Sequence, residues 1–254
     1  MFFCEVSLGL SVVKSCFVNN LPFVQKSILH GRLASLICPH FGNQKNLPIN
    51  GRKAEKKGNK TPKDMKTIDE SIQKQLNKPQ TWFVKYFPKR IKNLSDESIK
   101  ERQLVYDFKD GKINGIEIVA RVTASKMLEL YGDECSNIVL SCVPASSEEK
   151  YQIRYKLFSE LVCRMTGAIN GFQYVNIIGE RLAIHEHRSK EKEIRKVSII
   201  EFDEKWFNGK KVLCFDDIIT RGHSYANYAN QLESIGANVI GGMFLARTHY
   251  RTSV

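Results

Sequence analysis

The chain has 254 residues, 42% of them hydrophobic and 26% charged, the ordinary balance of a globular protein with one full core and at most a small second module. Its formal net charge of +12 points to anionic partners, whether a polynucleotide or a phosphorylated small molecule. No run approaches the roughly 18 apolar residues of a membrane span, and the apolar start carries Glu5 ahead of its first base, Lys14, the reverse of a secretory signal. A cytoplasmic protein is expected.

Residues 1–40 carry apolar patches without a usable period. Residues 41–66 are rich in Lys, Asn, Gly and Pro and read as a disordered linker. The change of character at Met65 marks a candidate start of the native protein. The seven cysteines are scattered, with no C-x-x-C pair, which argues against a disulfide framework or a zinc module. Cys38 and His40 alone fall short of a metal site.

From residue 81 the sequence becomes organised. Residues 81–90, TWFVKYFPKR, interleave aromatic and basic side chains, a pattern that suits core packing better than a single-stranded nucleic-acid surface. Ser95 with Asp96 and Glu97 behind it opens a helix running to about Phe108, and Asp110-Gly111 turns the chain. A second helix is expected over 115–130, with Ile116, Val119, Ala120, Met127 and Leu130 apolar and Gly132 ending it.

The apolar run at 137–143 reads as a strand covered on both faces. Residues 148–166 read as a helix burying Tyr151, Tyr155, Phe158, Leu161, Val162 and Met165. Further strands fall at 172–178, 197–202, 211–215 and 238–246, with a helix over 223–235 ended by Gly236. Between them, 180–196 is dense in charge and is expected to be a mobile loop, with His185 and His187 solvated. Arg154 and Lys156 are candidates for an exposed helix face. Strands alternating with helices imply an α/β fold with a mainly parallel twisted sheet flanked by helices.

The chemistry concentrates in 212–224, VLCFDDIITRGHS: an apolar strand, two adjacent acids, a short polar loop, then a helix. Ligands of open parallel sheets bind beyond the carboxyl ends of strands. Backbone N–H groups around Gly222 and at the next helix start form an anion site, to which Thr220 and Ser224 add hydroxyls. Carboxylates beside such a cradle suit a ligand with phosphate at one end and hydroxyls at the other. A ribose 5-phosphate has that form, and magnesium can share its oxygens. An ordinary strand-to-helix turn requires neither two acids nor the Thr-x-Gly-x-Ser spacing.

FDDIITRGHS resembles the phosphoribosyl pyrophosphate (PRPP) motif of type I phosphoribosyltransferases. With Val143-Pro144-Ala145-Ser146-Ser147 followed by Tyr151, Arg154 and Tyr155, the resemblance leans to the ComF-like branch, associated with DNA uptake, and covers about residues 81–250. It implies a phosphoribosyltransferase domain with a hood or N-terminal part at 67–114 and a core at 115–254, leaving 1–66 unassigned. It further implies that Asp216 and Asp217 hold the ribose hydroxyls and Mg, and that Thr220, Arg221, Gly222, His223 and Ser224 form the 5-phosphate loop. By the same resemblance Ala145, Ser146 and Ser147 meet pyrophosphate, and Arg188, with Lys190, reaches it from the charged segment. The partners implied are PRPP, a nucleobase acceptor, DNA or a competence partner, and a second copy of the chain in a homodimer. The chain departs from the family in lacking a cysteine-rich zinc module and in reading Thr-Arg-Gly where Thr-Thr-Gly is usual. A second reading is a non-catalytic PRPP-binding accessory protein in DNA uptake. A plain nucleotide-binding domain would carry a Gly-rich loop after its first strand, and none stands there.

Overall fold

The computed structural model describes residues 69–186 and 192–250. Residues 1–68, and with them Cys38 and His40, lie outside the described residues, as do Arg188 and Lys190.

Strand β2, Ile138–Cys142, is buried along its whole length, as its uninterrupted apolar run requires. It lies between β6, Lys211–Ile219, and β3, Ile169–Asn170, in a five-stranded sheet with every pairing parallel. Strand β7, Asn238–Thr248, joins β6 to the edge strand β1, Gln80–Tyr86. The helix-flanked, mainly parallel α/β sheet expected from the sequence is therefore the observed architecture. Strand β1, inside the segment 67–114 expected as hood or N-terminal part, is hydrogen-bonded into this sheet, pairing Gln80 with Gly242 and Tyr86 with Thr248.

The remaining elements cover the sheet. They are α1 (Glu70–Leu76), α2 (Asp96–Lys109), α3 (Ile113–Tyr131), α4 (Glu148–Thr166), the single turn α5 (Glu204–Phe207) and α6 (His223–Ser234). The chain leaves β2 through α4 toward β3 and leaves β6 through α6 toward β7, in opposite directions along the sheet. Right-handed crossovers therefore put α4 and α6 on opposite faces. Helices α2 and α3 pack with α4, and α1 packs with α6.

The boundaries have local causes. The Ser95 side chain accepts from the Ser98 amide at 3.3 Å and starts α2. Ser147 caps α4, and Gly167, at φ 74, ends it. Under α4, Tyr155, Phe158, Phe108 and Phe215 meet as tilted and edge-to-face pairs, with Phe158 and Phe215 centroids 4.3 Å apart. Met165 and Leu130, expected on buried stripes, are 40% and 43% exposed because each falls in the last turn of its helix, at the edge of the cover.

A larger expectation is also overturned. The charged segment 180–196 is not a loop throughout: β4, Val175–Glu186, and β5, Lys192–Phe202, pair antiparallel in a separate two-stranded sheet. An antiparallel ladder satisfies backbone polar groups without burying either face, so charge density does not forbid a hairpin. Its base is anchored, with Val175 3% exposed and Ile177, Ile200 and Phe202 packed against the core. His185 lies in β4, and His187 lies outside the described residues.

Candidate anion and ribose site

The opposed crossovers make the crevice between β2 and β6 a topological switch point, where open α/β sheets take their ligands at the carboxyl ends of the strands. Strand β2 stops pairing with β6 at Cys142–Phe215, whereas β6 continues along β7 to Ile219. Asp216 and Asp217 thus sit inside β6 but past the end of β2, because β6 runs four residues beyond the end at Phe215 that the sequence suggested.

A cavity of about 230 Å³ opens here, lined by Asp216, Ile218 and Ile219, then the loop Thr220 to Ser224, and Tyr225. The Thr220 hydroxyl meets the Thr248 hydroxyl at 2.7 Å and pins the loop to the end of β7. Gly222 is the N-cap of α6 at φ 77, a left-handed conformation that favours glycine. No side chain caps the helix and no acid lies in its first turn. The first intrahelical bond runs from the Ala226 amide to Gly222 O at 2.9 Å, so the amides of His223, Ser224 and Tyr225 precede it and are free for an anion. Arg221, His223 and Ser224 are exposed, and Gly222 is buried.

The two acids have different surroundings. Asp216 lines the cavity, with its Oδ1 accepting from the Asp217 amide at 2.8 Å and from Tyr155 OH at 3.4 Å. Burial, and after it the charge of Asp217, push the Asp216 carboxyl up to about 8, with the Asp217 amide, Lys109 and Arg154 offsetting part of that rise. Asp217, only 7% exposed, turns to the other cover: its Oδ2 is ion-paired with Arg154 of α4 and lies 3.5 Å from Lys109 Nζ of α2.

The structure therefore brings Asp216, Thr220, Arg221, Gly222, His223 and Ser224 around one cavity. Asp217 is committed to a buried ion pair beside it. Ala145, Ser146 and Ser147 lie past the end of β2 and are not among the cavity's lining residues. Ser147 accepts from the Lys150 amide at 3.4 Å, and Lys150 Nζ reaches Ser146 Oγ at 3.4 Å. Among the described residues no group of three or more His, Cys, Asp or Glu forms a metal cluster, and no helix is long and apolar enough to cross a membrane.

Sequence reasoning left Arg154 among surface candidates, whereas its side chain is 12% exposed. A signal existed: Arg154 is three residues from Tyr151 and four from Phe158, inside the buried stripe of α4. Lys156, off that stripe, is exposed. Lys109 carried no such signal.

No protein-family pattern matches the chain, and no curated protein sequence matches it. Solved structures similar to it include adenine phosphoribosyltransferase from Rhodothermus marinus, 15% identical over 51% of this chain and 68% of that one, with a TM-score of 0.32. Purine phosphoribosyltransferase from Pyrococcus horikoshii is 11% identical over 53% and 89%, at 0.30. A hypoxanthine-guanine phosphoribosyltransferase from Bacillus anthracis is 14% identical over 61% and 74%, at 0.27.

Proposed function

We propose that the chain binds PRPP and transfers its phosphoribosyl group to a nitrogen acceptor such as a nucleobase, releasing pyrophosphate. What carries the reading is the cavity at the switch point, with a carboxylate at one side and the uncapped amides of α6 at the other. A 5-phosphate is recognised by the His223, Ser224 and Tyr225 amides, with hydroxyl help from Thr220 and Ser224 and charge from Arg221. Asp216 accepts hydrogen bonds from the ribose hydroxyls.

In the reaction the acceptor nitrogen attacks C1 of the ribose and a C–N bond forms. The C1–oxygen bond breaks, pyrophosphate leaves with the electron pair, and the acceptor nitrogen loses its proton. The ribose gains positive character on the way, so the ionised Asp216 offsets charge that develops only in the transition state. Magnesium keeps most of its water and needs one or two protein carboxylates plus ligand oxygens, which fits Asp216 beside a diphosphate and does not require a preformed metal cluster. When bound, it supplies neutralisation of the departing pyrophosphate. Asp217 contributes by position: pinned to α4 and α2, it fixes the strand end from which Asp216 projects.

The test is calorimetric titration of PRPP with Mg into the full chain and into Asp216→Asn, followed by turnover assays with a panel of nucleobases. Binding in the wild type, weakened about 100-fold or more by the substitution, supports the site. A folded wild type that takes up no PRPP overturns it. PRPP binding without turnover on any base leaves the ligand and removes the transferase.

A further inference from the structure

Helix α1 is clasped to α6 by a concentrated set of polar contacts. Lys74 Nζ lies 2.9 Å from Glu233 Oε2, and Gln75 Nε2 lies 2.8 Å from both that oxygen and Asn230 Oδ1. Lys78 bonds the same carboxylate and donates to Val239 O at 2.7 Å. Burial opposes ionisation of Glu233, yet hydrogen bonds from Lys78, Lys74 and Gln75 outweigh it and hold its carboxyl down at about 2. Glu233 therefore stays ionised throughout the neutral range. Within it Gln75 is fully buried, and Ile72, three residues earlier on α1, is 6% exposed.

At the last residue of α1 this clasp meets the anion loop. A Cβ built on Gly222 would collide with Leu76 Cδ2 and would stand 3.6 Å from Leu76 Cγ and from Ile219 Cδ1. Leu76 thus fills the space beside the one backbone position in the loop that is left-handed and has no side chain of its own to hold it. Uncapped amides bind an anion well only when their directions are fixed beforehand, and glycine is the residue that fixes direction least.

We infer that Leu76 is a positioning residue for the anion loop, holding Gly222 in its left-handed turn so that the first amides of α6 converge on one phosphate. The inference rests on the reading of that loop as a phosphate site. Without Leu76 the loop spends part of its time in other turns, and apparent affinity falls by the lost fraction of competent loop. The polar clasp between α1 and α6 holds the leucine in place.

The test titrates ribose 5-phosphate into the full chain by calorimetry, with a melting temperature for every variant. Leu76→Ala is expected to raise Kd about tenfold, and Leu76→Met, which conserves volume, to stay within about twofold of wild type. Ile72→Ala loosens the same helix at a residue that is not among the nearest neighbours of a Cβ at Gly222. It should lower the melting temperature about as much as Leu76→Ala while leaving Kd within about twofold. Gly222→Ala should weaken binding less in the Leu76→Ala background than alone, because only the backbone strain then remains. If Leu76→Ala does not fold, Leu76→Val carries the same comparison. Equal changes in Kd for the Leu76 and Ile72 variants overturn the positioning role alone. A wild type that takes up no ribose 5-phosphate overturns the phosphate reading with it.

Discussion

Two strand-to-helix junctions stand side by side on the carboxyl edge of the sheet, β2 into α4 and β6 into α6, and they treat their helix ends in opposite ways. At α4 the Ser147 side chain takes the Lys150 amide, and Glu148 and Glu149 place negative charge in the first turn. That helix end is satisfied from within. At α6 the cap is a glycine, the first turn holds no acid, and the amides face a cavity. Adjacent junctions of the same topology thus differ in whether the chain supplies the anion itself or leaves the place for a ligand. The difference bears on the pyrophosphate role expected for Ala145 to Ser147, since Ser147 already serves its own helix.

The two junctions are tied together through Asp217, which projects from β6 and pairs with Arg154 of α4. Breaking that tie should give the largest effect. Asp217→Asn leaves Arg154 and Lys109 without their carboxylate and is expected to cost about 3 kcal/mol in denaturant unfolding. A loss below about 0.5 kcal/mol would mean the pair is only a surface contact. A smaller effect makes α6 resemble α4. Ser224→Glu puts an acid into the exposed first turn of α6, where it should stabilise the helix by about 0.5 kcal/mol. The same charge should weaken ribose 5-phosphate binding about 30-fold in the same calorimetric titration. Unchanged binding would remove the free amides from the site.

A third comparison is in protons. Asp216 is raised from 3.8 to about 8 in the folded chain, so between those values the folded state holds a proton that the unfolded state has released. The ligand-free protein should therefore lose stability as pH rises through that window. A magnesium–PRPP complex, which takes the ionised form, should release up to about one proton on binding at neutral pH and bind more tightly as pH approaches 8. Calorimetry in buffers of different ionisation heat reads this directly, and Asp216→Asn should abolish the release.

The sequence made these junctions legible unevenly. Helix α4 was readable end to end because Ser147, a 3.6-residue apolar stripe and Gly167 agree on its limits. The β6–α6 loop was readable because its acids, glycine and hydroxyls are consecutive. The Asp217–Arg154 pair was not, since its members are 63 residues apart and only the folded sheet brings them together. Strand β1 was hidden by its mixture of aromatic and basic residues, which suits an edge strand with Val84 buried and Lys85 exposed as well as it suits a loop. The hairpin of β4 and β5 was hidden by charge, which speaks of solvent exposure and is silent about backbone pairing.

Edge strand β1 pairs with β7, so Gln80 meets Gly242 only after the whole segment between them has been made. On a ribosome β1 must wait for β7, because β7 is its neighbour in the sheet. Until then Trp82, Phe83 and Tyr86, which pack against the finished core, have no sheet to join. This sheet therefore gains its β1 edge only once β7 has emerged, a non-local, slow step with a sticky aromatic edge exposed in the interval.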